Sequence, residues 1–198
     1  MSISYDQFIK YAMDLKAHSD LIDDNWIISE YVNPLENKIV KYLSKNQVLK
    51  AKKCDIDESG SEYDNTNTLL DIMCEYHVLY SPTYCCPDLY FNMWFTDGRL
   101  LSLENIWSLV NLSLKNSLIA DKWNAITQKY HPMKNIPFYT LHPCKTTEII
   151  ELLSSSTNLY TNDVENSCSP LIAWLSTISP LVGLNVDLSY GIHKKNIL

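Results

Sequence analysis

This sequence has few glycines, no excess of basic residues and no long uninterrupted apolar segment. Each of these shortages argues against a class of function. The four glycines in 198 residues form neither a phosphate-binding loop nor a GxGxxG motif, so nucleotide binding has no local support. With 16 basic and 23 acidic residues, the formal charge of -7 repels phosphate backbones and anionic lipids. We therefore expect no nucleic acid partner and no nucleotide cofactor.

The most apolar stretch, residues 168–186, reads CSPLIAWLSTISPLVGLNV. Pro170 suits the first turn of a helix, whereas Pro180 and Gly183 should end it. About ten helical residues extend roughly 15 Å, which is half of the roughly 30 Å hydrocarbon core of a membrane. The pattern predicts a buried helix packed on a sheet and no transmembrane segment.

The N-terminus and the spacing of the cysteines predict a cytoplasmic protein with reduced thiols. The first ten residues, MSISYDQFIK, lack the basic start and apolar run of a signal peptide. Six cysteines show no CxxC spacing, and a chain of this length does not need a disulfide framework. The histidines at 18, 77, 131, 142 and 193 are scattered, so we expect no metal site.

The apolar periodicity predicts a helix, about four strands and then further helices. Residues 4–17 have helical spacing, and Ser4 and Gln7 have the spacing of a capping box. Ser102 should cap a later helix. Runs rich in β-branched and aromatic residues predict strands at 26–28, 38–49, 69–80 and 88–95.

Consecutive strands can pair through hairpins, so we expect an antiparallel sheet with helices packed on it, an α+β fold. Residues 54–67 are acidic and poor in apolar side chains, as in an exposed loop. The length favours a single domain over residues 1–198.

Cys144 has the best setting for covalent chemistry among the six cysteines. It lies in PFYTLHPCKTTE, residues 137–148, between a short apolar stretch and a helix-like segment. A helix N-terminus and nearby cations, here Lys145 and His142, would stabilise the thiolate. Local evidence alone favours a buried structural cysteine, because Cys is among the most buried residue types. A papain-like protease is a further alternative, but the CGSCW-type signature is missing.

The sequence around Cys144, HPCKTTE, resembles the active-site segment of the autophagy-related ubiquitin-conjugating-type enzymes, which carry a His-Pro-Cys element. The resemblance runs in order over residues 70–190 and covers the first 65 residues only in general layout. The segments that carry it are EYHVLYSPTYCCPDLYF, FTDGRLLSLENIW, WNAITQKYHPM, PFYTLHPCKT and WLSTISPLVGLNVDLSY.

The resemblance implies a ubiquitin-conjugating-enzyme-like fold around a four-stranded antiparallel sheet, and a transferase that needs no metal or organic cofactor. The member it favours takes autophagy-related protein twelve as a thioester from the activating enzyme, protein seven. That member then transfers the modifier to a lysine of protein five. The short insertion at 54–67 and the mixed-charge first helix disfavour the member that modifies lipid. A binding module of the same fold without transfer activity is the other alternative.

The resemblance makes Cys144 the thioester nucleophile and suggests polar groups that would assist it. Tyr84, in the connection between two strands, and His131 or Asn135, in the loop before the cysteine, are the candidates, and His142 would shape the turn or tune the thiol. Conventional conjugating enzymes have His-Pro-Asn eight residues before the cysteine, whereas His131 begins a His-Pro-Met. Each candidate also has a structural explanation, as a buried aromatic residue, a loop hydrogen-bonding residue or a turn former.

Overall fold

The computed structural model describes residues 3–34, 37–52, 69–109, 126–141 and 169–191. Cys144, His142 and the acidic segment 54–67 lie outside the described residues. The helices are α1 (Tyr5–Ile22), α2 (Leu103–Leu109) and α3 (Pro170–Ile178), followed by 3-10 turns at Ser179–Leu181 and Leu188–Gly191. The strands are β1 (Ile27–Asn33), β2 (Lys38–Lys52), β3 (Leu69–Ser81), β4 (Cys86–Phe95), β5 (Ile126–Tyr130) and β6 (Pro137–Leu141).

The strands form one antiparallel sheet in the order β1-β2-β3-β4-β6-β5. The prediction of an α+β fold with an antiparallel sheet is confirmed, but the predicted number of about four strands is wrong, because the sheet has six. The two additional strands have five residues each, too few for periodicity to separate them from loop. The first four strands lie where the sequence pattern predicts them.

Helix α1 begins with the predicted capping box. The Ser4 hydroxyl accepts a hydrogen bond from the Gln7 backbone N–H, and the Gln7 side chain accepts one from the Ser4 N–H. The helix continues five residues beyond the predicted end at residue 17. It ends where Asp23 adopts a left-handed conformation with φ of 57°.

One face of the sheet carries the main core and both long helices. Alternate residues along β3 and β4, such as Tyr76, Val78 and Phe91, are buried on this face. They pack with the apolar sides of α1 and α3, whose buried residues include Phe8 and Leu175. The prediction that residues 168–186 hold a buried helix on the sheet is therefore confirmed. Among the helices in the described ranges, none is both long and apolar enough to cross a membrane.

The opposite face of the sheet carries a smaller cluster that positions β6. Tyr42, Leu79, Tyr90 and Phe138 form this cluster, with Tyr31 and Met133 at its margin. We call this side the second face. The hairpin loop of residues 131–136, which joins β5 to β6, lies against it.

Candidate functional site

Strand β6, which lies between β4 and β5, ends at Leu141, three positions before Cys144 in the sequence. Thr140 pairs with Tyr90 in antiparallel register, so the C-terminal end of β6 lies beside the N-terminal end of β4. The turn that precedes β4, residues 82–85, lies at the same end of these strands. The start of α1 is also fixed there, because the Ile3 N–H donates to the Cys85 carbonyl over 2.8 Å. We call this region the exit edge.

Tyr84 lies in the turn at the exit edge, with 49% of its surface exposed. The next residue, Cys85, has a φ of 50°, a conformation that non-glycine residues seldom adopt. The turn is also tied to α1 by the Tyr80 hydroxyl, which donates to the Ile3 carbonyl over 3.0 Å. The structure therefore places the Tyr84 side chain on the surface of the edge toward which β6 runs.

A cavity of about 110 Å³ opens beside this turn, and Asp88 lies in its wall. Asp88 is only 7% exposed, and the Thr140 hydroxyl donates to its carboxylate over 3.0 Å. Burial raises the pKa of Asp88 to about 6, despite that hydrogen bond. The other residues that line the cavity are Leu79, Tyr80, Ser81, Pro82, Tyr90 and Pro132.

Three cysteines lie within the described ranges, and they differ in their capacity to act as nucleophiles. Burial raises the pKa of Cys74 to about 11, which keeps it protonated at neutral pH. Burial and the neighbouring Asp88 also raise the pKa of Cys86. Cys85 is exposed. Of these three, Cys85 is the thiol that a reagent meets most readily.

Asn135 lies in the loop between β5 and β6, where it adopts the left-handed backbone conformation that the turn requires. Its φ is 53°, and its N–H donates to the His131 carbonyl over 2.9 Å. The His131 N–H in turn donates to the Ile136 carbonyl over 2.9 Å. Asparagine tolerates this left-handed conformation better than most residues, which explains its place in the turn.

His131 is buried on the second face, where both of its ring nitrogens have partners. Its exposed fraction is 1%. Nδ1 lies 3.2 Å from the backbone nitrogens of both Met133 and Lys134, and Nε2 lies 2.9 Å from Nδ1 of His77. The structure thus brings together two histidines that are 54 positions apart in the sequence.

The hydrogen bonds continue from His77 to the protein surface. His77 Nε2 lies 3.0 Å from a carboxylate oxygen of Glu75, and the Lys134 ammonium lies 2.5 Å from that same oxygen. The hydrogen bond from His77 lowers the pKa of Glu75 to about 2, with a further contribution from Lys134. Burial lowers the pKa of His131 to about 4, so its ring is neutral at pH 7.

The sequence analysis did not single out Asp88, His77 or Glu75. A signal for two of them was present, because Glu75 and His77 are separated by one residue within a strand and therefore lie on the same face. Asp88 follows Pro87 at the start of a predicted strand, which gives no sign that its carboxylate is buried. Within the described ranges, no group of three or more His, Cys, Asp or Glu side chains is arranged so that it could hold a metal ion.

Of the predicted site residues, Tyr84 lies at the exit edge and His131 and Asn135 lie in the loop against the second face. Their catalytic roles stay predictions. His142 and Cys144 come one and three positions after Leu141, the last described residue of β6, and lie outside the described residues.

Comparison with known protein families identifies the class of protein to which this architecture belongs. The family described as the autophagocytosis-associated protein, active-site domain, matches residues 7–189. The chain belongs to this family. The predicted resemblance is thereby confirmed, and the autophagocytosis-associated family is consistent with a ubiquitin-conjugating-enzyme-like fold.

Three curated relatives are between 32% and 43% identical to this chain over the matched residues. The human ubiquitin-like-conjugating enzyme ATG10 is 43% identical over 120 residues, which are 61% of this chain and 53% of the relative. The enzyme of the same name from Arabidopsis thaliana is 34% identical over 119 residues, 58% and 50% of the two chains. The Dictyostelium discoideum enzyme is 32% identical over 130 residues, 63% and 56%. The matched region thus spans about half the length of these relatives.

Proposed function

We propose that this chain is a ubiquitin-like-protein conjugating enzyme of autophagy that carries its modifier on Cys144. Cys144 accepts autophagy-related protein twelve as a thioester from protein seven and transfers it to a lysine of protein five. The observation that carries the proposal is the match to an active-site domain family over residues 7–189, a range that includes the His-Pro-Cys element. The names of the relatives, all conjugating enzymes, support the same reaction class.

The proposed reaction consists of two acyl transfers. The Cys144 thiolate attacks the thioester carbonyl of the activated modifier, a new carbon–sulfur bond forms, and the thiolate of the activating enzyme leaves. The amine of the acceptor lysine then attacks the Cys144 thioester. A carbon–nitrogen bond forms, the Cys144 thiolate leaves, and the amine gives its proton to a base. Both steps use only thiols, an amine and an acyl group.

Two features of the described residues support Cys144 as the nucleophile. Because their pKa values are raised, the thiols of Cys74 and Cys86 are seldom ionised and are weak nucleophiles at neutral pH. Among the cysteines of the described ranges, exposed Cys85 is therefore the one that could compete with Cys144 as the nucleophile. Strand β6 ends three residues before Cys144, and three extended residues span at most about 11 Å. Chain connectivity therefore keeps Cys144 within reach of the exit edge.

Tyr84 is the assisting group that the described geometry supports best. Its exposed side chain lies in the turn that precedes β4, the strand with which β6 pairs. From there its hydroxyl would donate a hydrogen bond to the oxyanion that forms during either transfer. The neighbouring His142, two residues before the nucleophile, would shape the approach to the thiol.

Reconstitution with protein seven, ATP and protein twelve tests the first step. We expect wild-type chain to form an adduct that dithiothreitol releases, and Cys144→Ser to form none that is thiol-sensitive. Cys85→Ser is the matched control, since it removes the exposed rival thiol, and it should keep the adduct. A thiol-sensitive adduct on Cys144→Ser, or none on wild type, would contradict the proposal.

Addition of protein five to the charged chain tests the second step and separates the alternatives. An irreducible conjugate of proteins twelve and five is the expected product. Transfer to phospholipid alone would favour an enzyme for a lipid-linked modifier. A chain that binds the modifier but never forms an adduct would be a binding module.

A further inference from the structure

The hydrogen-bonded series His131, His77, Glu75 and Lys134, here called the relay, runs from the loop before β6 across the second face. Its direction follows from its first member. Because Nδ1 of His131 accepts from backbone N–H groups, it carries no proton, and Nε2–H must donate to Nδ1 of His77. His77 Nε2–H then donates to Glu75, which also accepts from Lys134. The donors and acceptors alternate without a conflict along the whole series.

Strand β6 depends on side chains for its position, because its backbone pairing to the central sheet is short. Within the described ranges, β6 pairs with β4 at Tyr90 with Thr140 and at Phe91 with Tyr139, whereas β3 and β4 pair over ten positions. The relay supplies part of the missing attachment. The Phe138 ring of β6 lies 5.3 Å from the His77 ring and 4.9 Å from the His131 ring, measured between centroids.

The loop that the relay holds also reaches the exit edge. Pro132, directly after His131, forms part of the cavity wall beside Asp88 and Tyr90. The Lys134 end of the loop is held by Glu75, which lies on β3 in the sheet centre. Loss of the relay would therefore free both the start of β6 and one wall of the cavity.

We propose that the relay residues His131, His77, Glu75 and Lys134 are positioning residues that fix β6 and the 131–136 loop, and thereby set the reactivity of Cys144. The proposal rests on the proposed function, since it takes Cys144 as the nucleophile. It assigns His131 a role through β6 in place of direct contact with the reacting acyl group. Both of its ring nitrogens are already engaged within the protein.

Two substitutions of His77 separate the hydrogen bonds from the packing. His77→Phe keeps an aromatic ring against Phe138 but removes the relay. His77→Gln keeps it, because the amide oxygen can accept from His131 while the amide N–H donates to Glu75. Lys134→Met, at the exposed end of the relay, removes only the ion pair between the loop and Glu75 and carries less risk to the fold. Asp71→Asn is the matched control, an exposed carboxylate on the same strand that is paired with Lys50.

Three measurements follow the consequence of breaking the relay. Hydrogen exchange at the Met133 and Lys134 amides reports directly on the loop. Alkylation of Cys144 by iodoacetamide, with exposed Cys85 as internal reference, reports on the thiol without any partner. Steady-state transfer to the acceptor, with activating enzyme and modifier in excess, gives kcat and KM for the acceptor.

His77→Phe should speed exchange at these amides about tenfold or more, change the Cys144 alkylation rate at least about threefold relative to Cys85, and lower kcat about tenfold. KM should stay within about twofold. His77→Gln and Asp71→Asn should stay close to wild type in all three. If His77→Phe does not fold, Lys134→Met is the test. Its changes should have the same direction but a smaller size, because the hydrogen bonds from His131 to His77 and from His77 to Glu75 remain.

If the Met133 and Lys134 amides of His77→Phe exchange faster while the alkylation rate of Cys144 is unchanged, the proposal is overturned. A His77→Gln variant as impaired as His77→Phe would also overturn it, because the hydrogen bonds would then be irrelevant. Wild-type chain that forms no thioester would overturn the proposed function instead, and the alkylation arm would still decide the positioning role.

Discussion

At the scale of one residue, Asp88 at the exit edge lowers the stability of the fold. Its carboxyl is buried, and its raised pKa of about 6 means that the folded state binds its proton more tightly than the unfolded chain does. The protonated Asp88 therefore makes its full contribution to folding stability below the ordinary pKa of 3.8. This contribution is lost as the pH rises through 6. At neutral pH the ionised carboxylate opposes folding.

Asp88→Asn should stabilise the protein, and more so at high pH. The amide can still accept the hydrogen bond from Thr140, but it does not have to be ionised in a buried position. We expect a gain of about 3 kcal/mol at pH 8 and roughly half of that at pH 5. Urea unfolding at the two pH values measures the difference. Asp71→Asn, an exposed carboxylate on β3, is the control, and equal gains at both pH values would contradict the explanation.

The structural roles of the candidate site residues could be predicted from the sequence to different extents. Asn135 fits its prediction as a turn former, because a left-handed backbone is a local property. The contact between His77 and His131 depends on a loop folding back over the sheet, which no local pattern encodes. Asp88 is buried by residues from three separate segments, so its raised pKa was likewise beyond local prediction.

At the scale of the element, the sequence was most informative where periodicity and capping agreed. Helix α1 has both a capping box and apolar spacing, and its start was predicted to within a residue. Its end was not, because the residues after 17 remain helical until Asp23 turns left-handed. Strands β5 and β6 are five residues long and pair with partners distant in sequence, so tertiary context decides their conformation.

Ser4→Ala should destabilise the protein by about 1 kcal/mol, because it removes one of the two hydrogen bonds of the capping box. Thermal or urea unfolding monitored by circular dichroism measures the loss. Lys10→Ala, an exposed position in the middle of α1, should change stability by less than about 0.5 kcal/mol. A Ser4→Ala variant as stable as Lys10→Ala would show that the cap contributes nothing.

At the scale of the whole molecule, a buried ion pair joins the sheet to both ends of the described chain. The Lys45 ammonium of β2 lies 2.5 Å from the carboxylate of Asp24, after α1, and donates to the Asn185 carbonyl over 3.1 Å. The Tyr190 hydroxyl donates to the other oxygen of Asp24 over 2.8 Å. Lys45 is almost fully buried, with the Trp26 ring 5.5 Å from its nitrogen.

Lys45→Met should cost about 3–5 kcal/mol of folding free energy, because it leaves the mostly buried carboxylate of Asp24 without its cationic partner. Chemical denaturation measures the cost. Lys50→Met on the same strand removes an exposed partner of Asp71 and should cost less than about 1 kcal/mol. Similar losses in the two variants would contradict the idea that this ion pair holds the C-terminal segment to the sheet.

The proposed function depends on which of the six cysteine thiols carries the modifier. The most direct measurement is to trap the adduct formed with protein twelve under non-reducing conditions, digest it and locate the modified cysteine by tandem mass spectrometry. Our account predicts the modifier's C-terminal residue on Cys144, with the other five cysteines unmodified. Attachment to Cys85, or to any cysteine other than Cys144, would contradict it.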